Sequence, residues 1–224
     1  MNTVNVYNFN ELSKEAQQAA IEDQREFMDM HFDTDYYEEM LHEAGFEDAE
    51  IYYSVSYSQG DGASFKSGVN LQKFIKINEL QNEFPLVYEC AKDRQETTFQ
   101  VTRFGRYYHH MTMGVELLDD SLHYNDVWEE AMEIASDEAN CDDMTDTEWD
   151  NWLENYTKEN ANQQEAYNQE VADIEPAILS IARELAQKIH KLMQGQYDYI
   201  ISDENIKEHL EVNGYQFLAD GRAI

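Results

Sequence analysis

Basic residues are scarce in this chain: 15 lysines and arginines stand against 47 aspartates and glutamates, a formal net charge of -32 over 224 residues. A surface of that sign repels nucleic-acid backbones and anionic membranes, so direct contact with either is not expected. Cysteine is equally sparse. Cys90 and Cys141 have no C-x-x-C neighbour, which excludes a disulfide framework and the usual zinc spacings. No stretch approaches 18 consecutive apolar residues, and the opening MNTVNVYNFNE has neither a basic region nor an apolar run. The expected location is the cytoplasm.

Motifs of catalysis are missing as well. Ser58 and Ser64 stand outside any G-x-S-x-G pattern, and no calcium loop of the Asp-x-Asp-x-Asp-Gly type occurs, despite the cluster Asp142, Asp143 and Asp146. His109 and His110 are adjacent, so on a strand they point to opposite faces and cannot share a metal. The remaining histidines lack ligand spacing. No metal, cofactor or catalytic residue is assigned, and the chain reads as a non-enzyme.

What is present favours a folded protein. Apolar residues make up 42% and aromatic residues 12%, too much for a solvating acidic tail. The expectation is a single α+β domain over residues 1–224: a small antiparallel sheet packed with several amphipathic helices that show an acidic surface. Alternation over Val4 to Phe9 predicts a strand. Ser13 caps a helix to about Met30, and Gly45 ends a second one begun at Asp35. Ile51 to Tyr57 reads as a strand and the region Phe99 to Leu118 as one or two strands, with Gly105 and Gly114 offering a bulge or turn, and a short helix lies between Val69 and Leu80. Thr145 and Glu148 form a capping pattern ahead of Trp149, Trp152, Leu153 and Tyr156. A separate helix starts at Pro176 with a stripe of Ile178, Ala182 and Ile189, and a helix from Glu204 and a strand from Tyr215 end the chain.

The charge is unevenly placed. Net values are -12 for residues 1–50, +1 for 51–115, -16 for 116–165 and -5 for 166–224. A uniform solubility device would not leave the second stretch neutral, and the 116–165 block stands out as a strongly acidic helical segment. Acids at i and i+4 on a helix lie about 6 Å apart, close to the spacing of neighbouring phosphates along a nucleic-acid strand. The pairs Glu22 with Glu26, Asp35 with Glu39, Glu129 with Glu133, and Asp146 with Asp150 are therefore candidates for binding a basic protein surface. Gly60, Asp61 and Gly62 are read as a structural turn, the glycines supplying positive φ.

Three segments carry a resemblance. Tyr7-Asn8-Phe9-Asn10-Glu11-Leu12-Ser13-Lys14-Glu15-Ala16, Tyr57-Ser58-Gln59-Gly60-Asp61-Gly62-Ala63-Ser64-Phe65, and Tyr197-Asp198-Tyr199-Ile200-Ile201-Ser202-Asp203-Glu204 with the following Ile206 to Phe217 are similar to small bacteriophage and mobile-element proteins, some described as antitoxins of toxin–antitoxin stability systems. The resemblance implies a phage or plasmid setting and brings no catalytic residues. The expected function is a non-enzymatic inhibitor, a nucleic-acid mimic that covers the basic surface of a host defence or other nucleic-acid-binding protein. The alternative is an antitoxin that neutralises one dedicated toxin.

Overall fold

The computed structural model describes residues 5–28, 30–91, 99–118 and 144–224. The fold is mixed α+β, with a two-stranded and a four-stranded antiparallel sheet. Its contacts divide into two compact units: Met1–Asp33 with His190–Ile224, and Thr34–Ile189.

In the first unit the chain's two ends pair. Strand β1 (Tyr7–Asn8) lies antiparallel to β6 (Gln216–Phe217), and Phe9 meets Phe217 edge-on at 6.1 Å. Helix α1 (Lys14–Arg25) begins at Ser13, whose hydroxyl accepts from the Ala16 amide; α6 (Asp203–Val212) begins at Ser202, which does the same for Asn205. Their apolar faces close the core: Leu12, Ala16, Ala20 and Ile21 with Ile206, Leu210 and Phe217. Thus the first and third resemblance segments pack against each other. An ion pair of Arg25 with Asp203 joins the two helices, and Gly221 takes φ +92 so that its backbone can pass Ala16.

The second unit is built on strands in the order β2 (Phe46–Ser54), β3 (Gly62–Val69), β4 (Phe99–Arg103) and β5 (Met113–Leu117). Small residues let β3 sit at the centre, buried nearly throughout. Helices α2 (Asp35–Glu43), α3 (Leu71–Ile77) and α4 (Pro85–Ala91) supply the apolar layer, with Phe46 edge-on to both Phe65 and Phe74. Helix α5 (Asp146–Ile200) contributes its residues up to Ile189. Its Glu170 carboxylate accepts from the Leu86 and Val87 amides at 2.9 and 3.0 Å, satisfying the exposed donors at the start of α4. Its Arg183 donates to the Met113 carbonyl of β5.

Several sequence expectations change. Pro176 does not open a helix but lies inside the 55-residue α5. Proline removes one backbone donor, yet Ile174 and Ile178 on either side are both fully buried and hold the helix through it. The region Phe99 to Leu118, by contrast, holds as two strands with a turn at Gly105: Arg103 ends β4, Gly105 takes φ +76, and a 3-10 turn at His110–Thr112 precedes β5. The opening strand shrinks to two residues because Asn8 and Glu11 cap a 3-10 turn, with the Asn8 amide donating to Glu11 at 2.7 Å. Helix α1 stops at Arg25 rather than Met30.

Candidate partner-binding surfaces

Six of the eight acidic candidates fall on described residues, and all six are exposed. Glu22 lies on α1 with Glu26 at its C-terminal cap; Asp35 and Glu39 lie on α2; Asp146 and Asp150 lie in the first turns of α5. Each pair is one helical turn apart, so its carboxylates project side by side. Glu129 and Glu133 lie outside the described residues. Near the α1 pair the Gln18 amide reaches Glu22 at 3.4 Å. On α5 the neighbouring Glu154 pairs with Lys158.

The start of α5 is fixed by Glu148, whose carboxylate accepts from the Thr145 hydroxyl at 2.7 Å and from its amide at 2.9 Å. These bonds, the hydroxyl's first, hold the Glu148 pKa below its ordinary value. Beside this cap the rings of Trp149, Trp152 and Tyr156 form a ladder. Centroids are 5.3 and 5.0 Å apart, planes differ by 21° and 15°, and all three side chains are half-buried. The sequence shows these residues only as an apolar face; their spacing of three and four residues is the signal that they stack.

The Gly60-Asp61-Gly62 turn joins β2 to β3, and its glycines do not supply positive φ as the sequence suggests. Tyr57 takes the left-handed conformation instead, at φ 58. Closeness is what the glycines provide. A Cβ on Gly62 would sit 2.8 Å from the His109 Cα, and one on Gly60 would sit 2.5 Å from the Tyr107 ring. Asp61 organises the turn, accepting from the hydroxyls of Ser58 at 2.7 Å, Ser54 at 2.8 Å and Ser56 at 3.3 Å, and from the Ser58 amide at 2.9 Å. Burial disfavours its charged form, but these bonds outweigh that, and the Asp61 pKa lies below its ordinary value.

The loop that covers the turn is aromatic and basic. Arg103 lies 4.5 Å from the Tyr52 ring and 5.0 Å from that of Tyr108, and Arg106 lies 4.8 Å from Tyr107. Arg103 also donates to the Gly105 and Tyr107 carbonyls. Among the described residues, rings and backbone carbonyls rather than a carboxylate engage Arg103. His109 and His110 do not point apart, because they sit at the 3-10 turn rather than on a strand, and their rings meet at 3.9 Å. His109 Nδ1 accepts from the Met111 amide.

In the first unit a groove of about 630 Å³ is lined by Phe27, Met28, Ile200, His209 and Tyr215 among others. Among the described residues no group of three or more histidines, cysteines or carboxylates is placed to hold a metal ion, and no helix is long and apolar enough to cross a membrane.

Residues 15–203 match the family described as Domain of unknown function (DUF8835). The chain belongs to that family. The matched range runs from the first turn of α1 through α5 to the start of α6, so the family's domain takes in the glycine turn, the aromatic ladder and all four acidic pairs. No curated protein and no solved structure matches the chain.

Proposed function

We propose that this DUF8835 protein is a non-enzymatic inhibitor from a phage or mobile element that works as a nucleic-acid mimic. It occupies the basic surface of a host defence protein, or of another nucleic-acid-binding protein, in the bacterial cytoplasm. The observation that carries this reading is the display of exposed carboxylates in pairs one helical turn apart on α1, α2 and α5. Such pairs match the charge spacing of a phosphate backbone, and the net charge of -32 steers the protein toward a basic partner and away from nucleic acid and anionic membranes. The resemblance of the YNFNELSKEA, YSQGDGASF and YDYIISDE segments to phage and plasmid proteins supports the setting. The partner is bound without a cofactor.

Affinity capture on the full chain from a bacterial lysate, at low and moderate salt, tests this directly when followed by elution with duplex DNA. The expected outcome is a basic nucleic-acid-binding protein that is retained at low salt, released by DNA, and competed by DNA again after purification. Recovery only of metabolic enzymes, indifferent to DNA, would refute the proposal. Capture of one small toxin that DNA does not displace would instead support an antitoxin.

A further inference from the structure

A mimic of phosphate spacing needs only carboxylates, whereas the first turns of α5 carry carboxylates and a ring ladder together. Trp149, Trp152 and Tyr156 are stacked at 5.3 and 5.0 Å with nearly parallel planes. Exposed Asp146, Glu148, Asp150 and Glu154 occupy the same turns. In a duplex the bases are enclosed, and a protein that grips the backbone meets little ring surface. In a single strand the bases are open, and proteins that hold it combine a Lys/Arg groove with aromatic platforms on which the bases stack. Half-open rings flanked by negative charge present both features of that ligand on one helix.

Resting on the mimic reading above, we infer that the Trp149–Trp152–Tyr156 face with Asp146 and Asp150 is a surface for a protein that grips single-stranded nucleic acid, its cations meeting the carboxylates and its aromatic side chains meeting the ladder. Burial of these large rings supplies affinity at the centre of the contact, and the flanking acids supply steering and salt dependence.

The probes are two peptides of equal length and charge, one alternating lysine with phenylalanine and the other lysine with alanine, titrated calorimetrically into the full chain at low salt. The phenylalanine peptide should bind roughly tenfold more tightly, the size of a single stacking contact. In W149A/W152A/Y156A the two peptides should bind alike, with the alanine peptide's affinity unchanged. The ring-retaining W149F/W152F/Y156F should restore the preference, which separates lost rings from a disturbed helix. Equal binding of both peptides to the wild type would overturn this inference and leave the acidic-surface reading standing. Failure of both peptides to bind would overturn both. A preference that survives in the alanine variant would place the aromatic recognition elsewhere and overturn the inference.

Discussion

The two halves of α5 share one uninterrupted backbone but differ in what they bury. Between residues 146 and 166 no described side chain is buried, while from Tyr167 onward burial recurs at Ile174, Ile178, Ala182, Ala186, Ile189 and Met193, each no more than 1% exposed. The first half lies in the most acidic block of the chain, and the second, residues 167–200, carries a net charge of only -2. Packing against the rest of the fold therefore stabilises the second half. Among the described residues the first half rests on its cap, on continuity with the helix below it and on its ladder of rings. A helix segment that contributes little to the core is free to carry residues chosen for a partner.

The sharpest way to break this contrast is to truncate one apolar side chain in each half. Ile178→Ala should cost about 2–5 kcal/mol, because a buried side chain is replaced by a cavity, whereas Leu153→Ala should cost less than about 1 kcal/mol. Urea unfolding followed by circular dichroism reads both. Similar losses would mean that the first half is as much a part of the core as the second.

Comparable reasoning separates the two glycines of the turn. Gly62→Ala meets backbone at 2.8 Å, which cannot move without displacing the 104–112 loop, so it should cost about 1–3 kcal/mol. Gly60→Ala meets the Tyr107 ring, a side chain that is exposed and can swing, and its cost should be smaller. Equal melting temperatures for the two variants would contradict this assignment of backbone against ring.

Next in size is Asp61→Asn. One amide oxygen can keep the serine hydroxyls, but the new NH2 faces the Ser58 amide, two donors together, and the loss should be about 1 kcal/mol. The pH dependence has a fixed sign. Because the folded pKa is lowered, the carboxylate's contribution is complete above the ordinary aspartate value of about 3.9 and fades as pH falls toward the folded one. Wild type and D61N should therefore converge in stability on acidification. A gap that stays constant below pH 4 would remove the charge from the explanation.

How far the sequence reveals this architecture depends on whether the signal is local. The caps at Ser13 and Thr145 and the helix from Asp35 to Gly45 rest on neighbouring residues and emerge with small shifts at their ends, while the strand expected at Ile51 to Tyr57 overlaps β2, which begins earlier, at Phe46. Pro176 misleads because its local rule favours a helix start, while burial of Ile174 and Ile178 is a tertiary effect that overrides it. The Gly60 and Gly62 constraint is also tertiary, since the loop they approach is more than 40 residues away in sequence. For the candidate surface, the spacing of the acidic pairs can be counted directly. That the ladder beside them is only half-buried cannot, because a stripe of two tryptophans and a tyrosine is equally compatible with a fully buried face.

The central claim is that the exposed acids of α5 bind a basic partner in place of phosphates. The direct test measures the affinity of the captured partner for wild type and for a variant with Asp146 and Asp150 changed to asparagine, across roughly 0.05–0.5 M salt, where the screening length falls from well above to well below 10 Å. Stability should change little, since exposed substitutions are usually within about 0.5 kcal/mol. Wild-type binding should weaken steeply with salt, and the variant should bind more weakly at low salt with a flatter slope. Identical slopes and affinities, or a wild-type complex insensitive to salt, would contradict the claim.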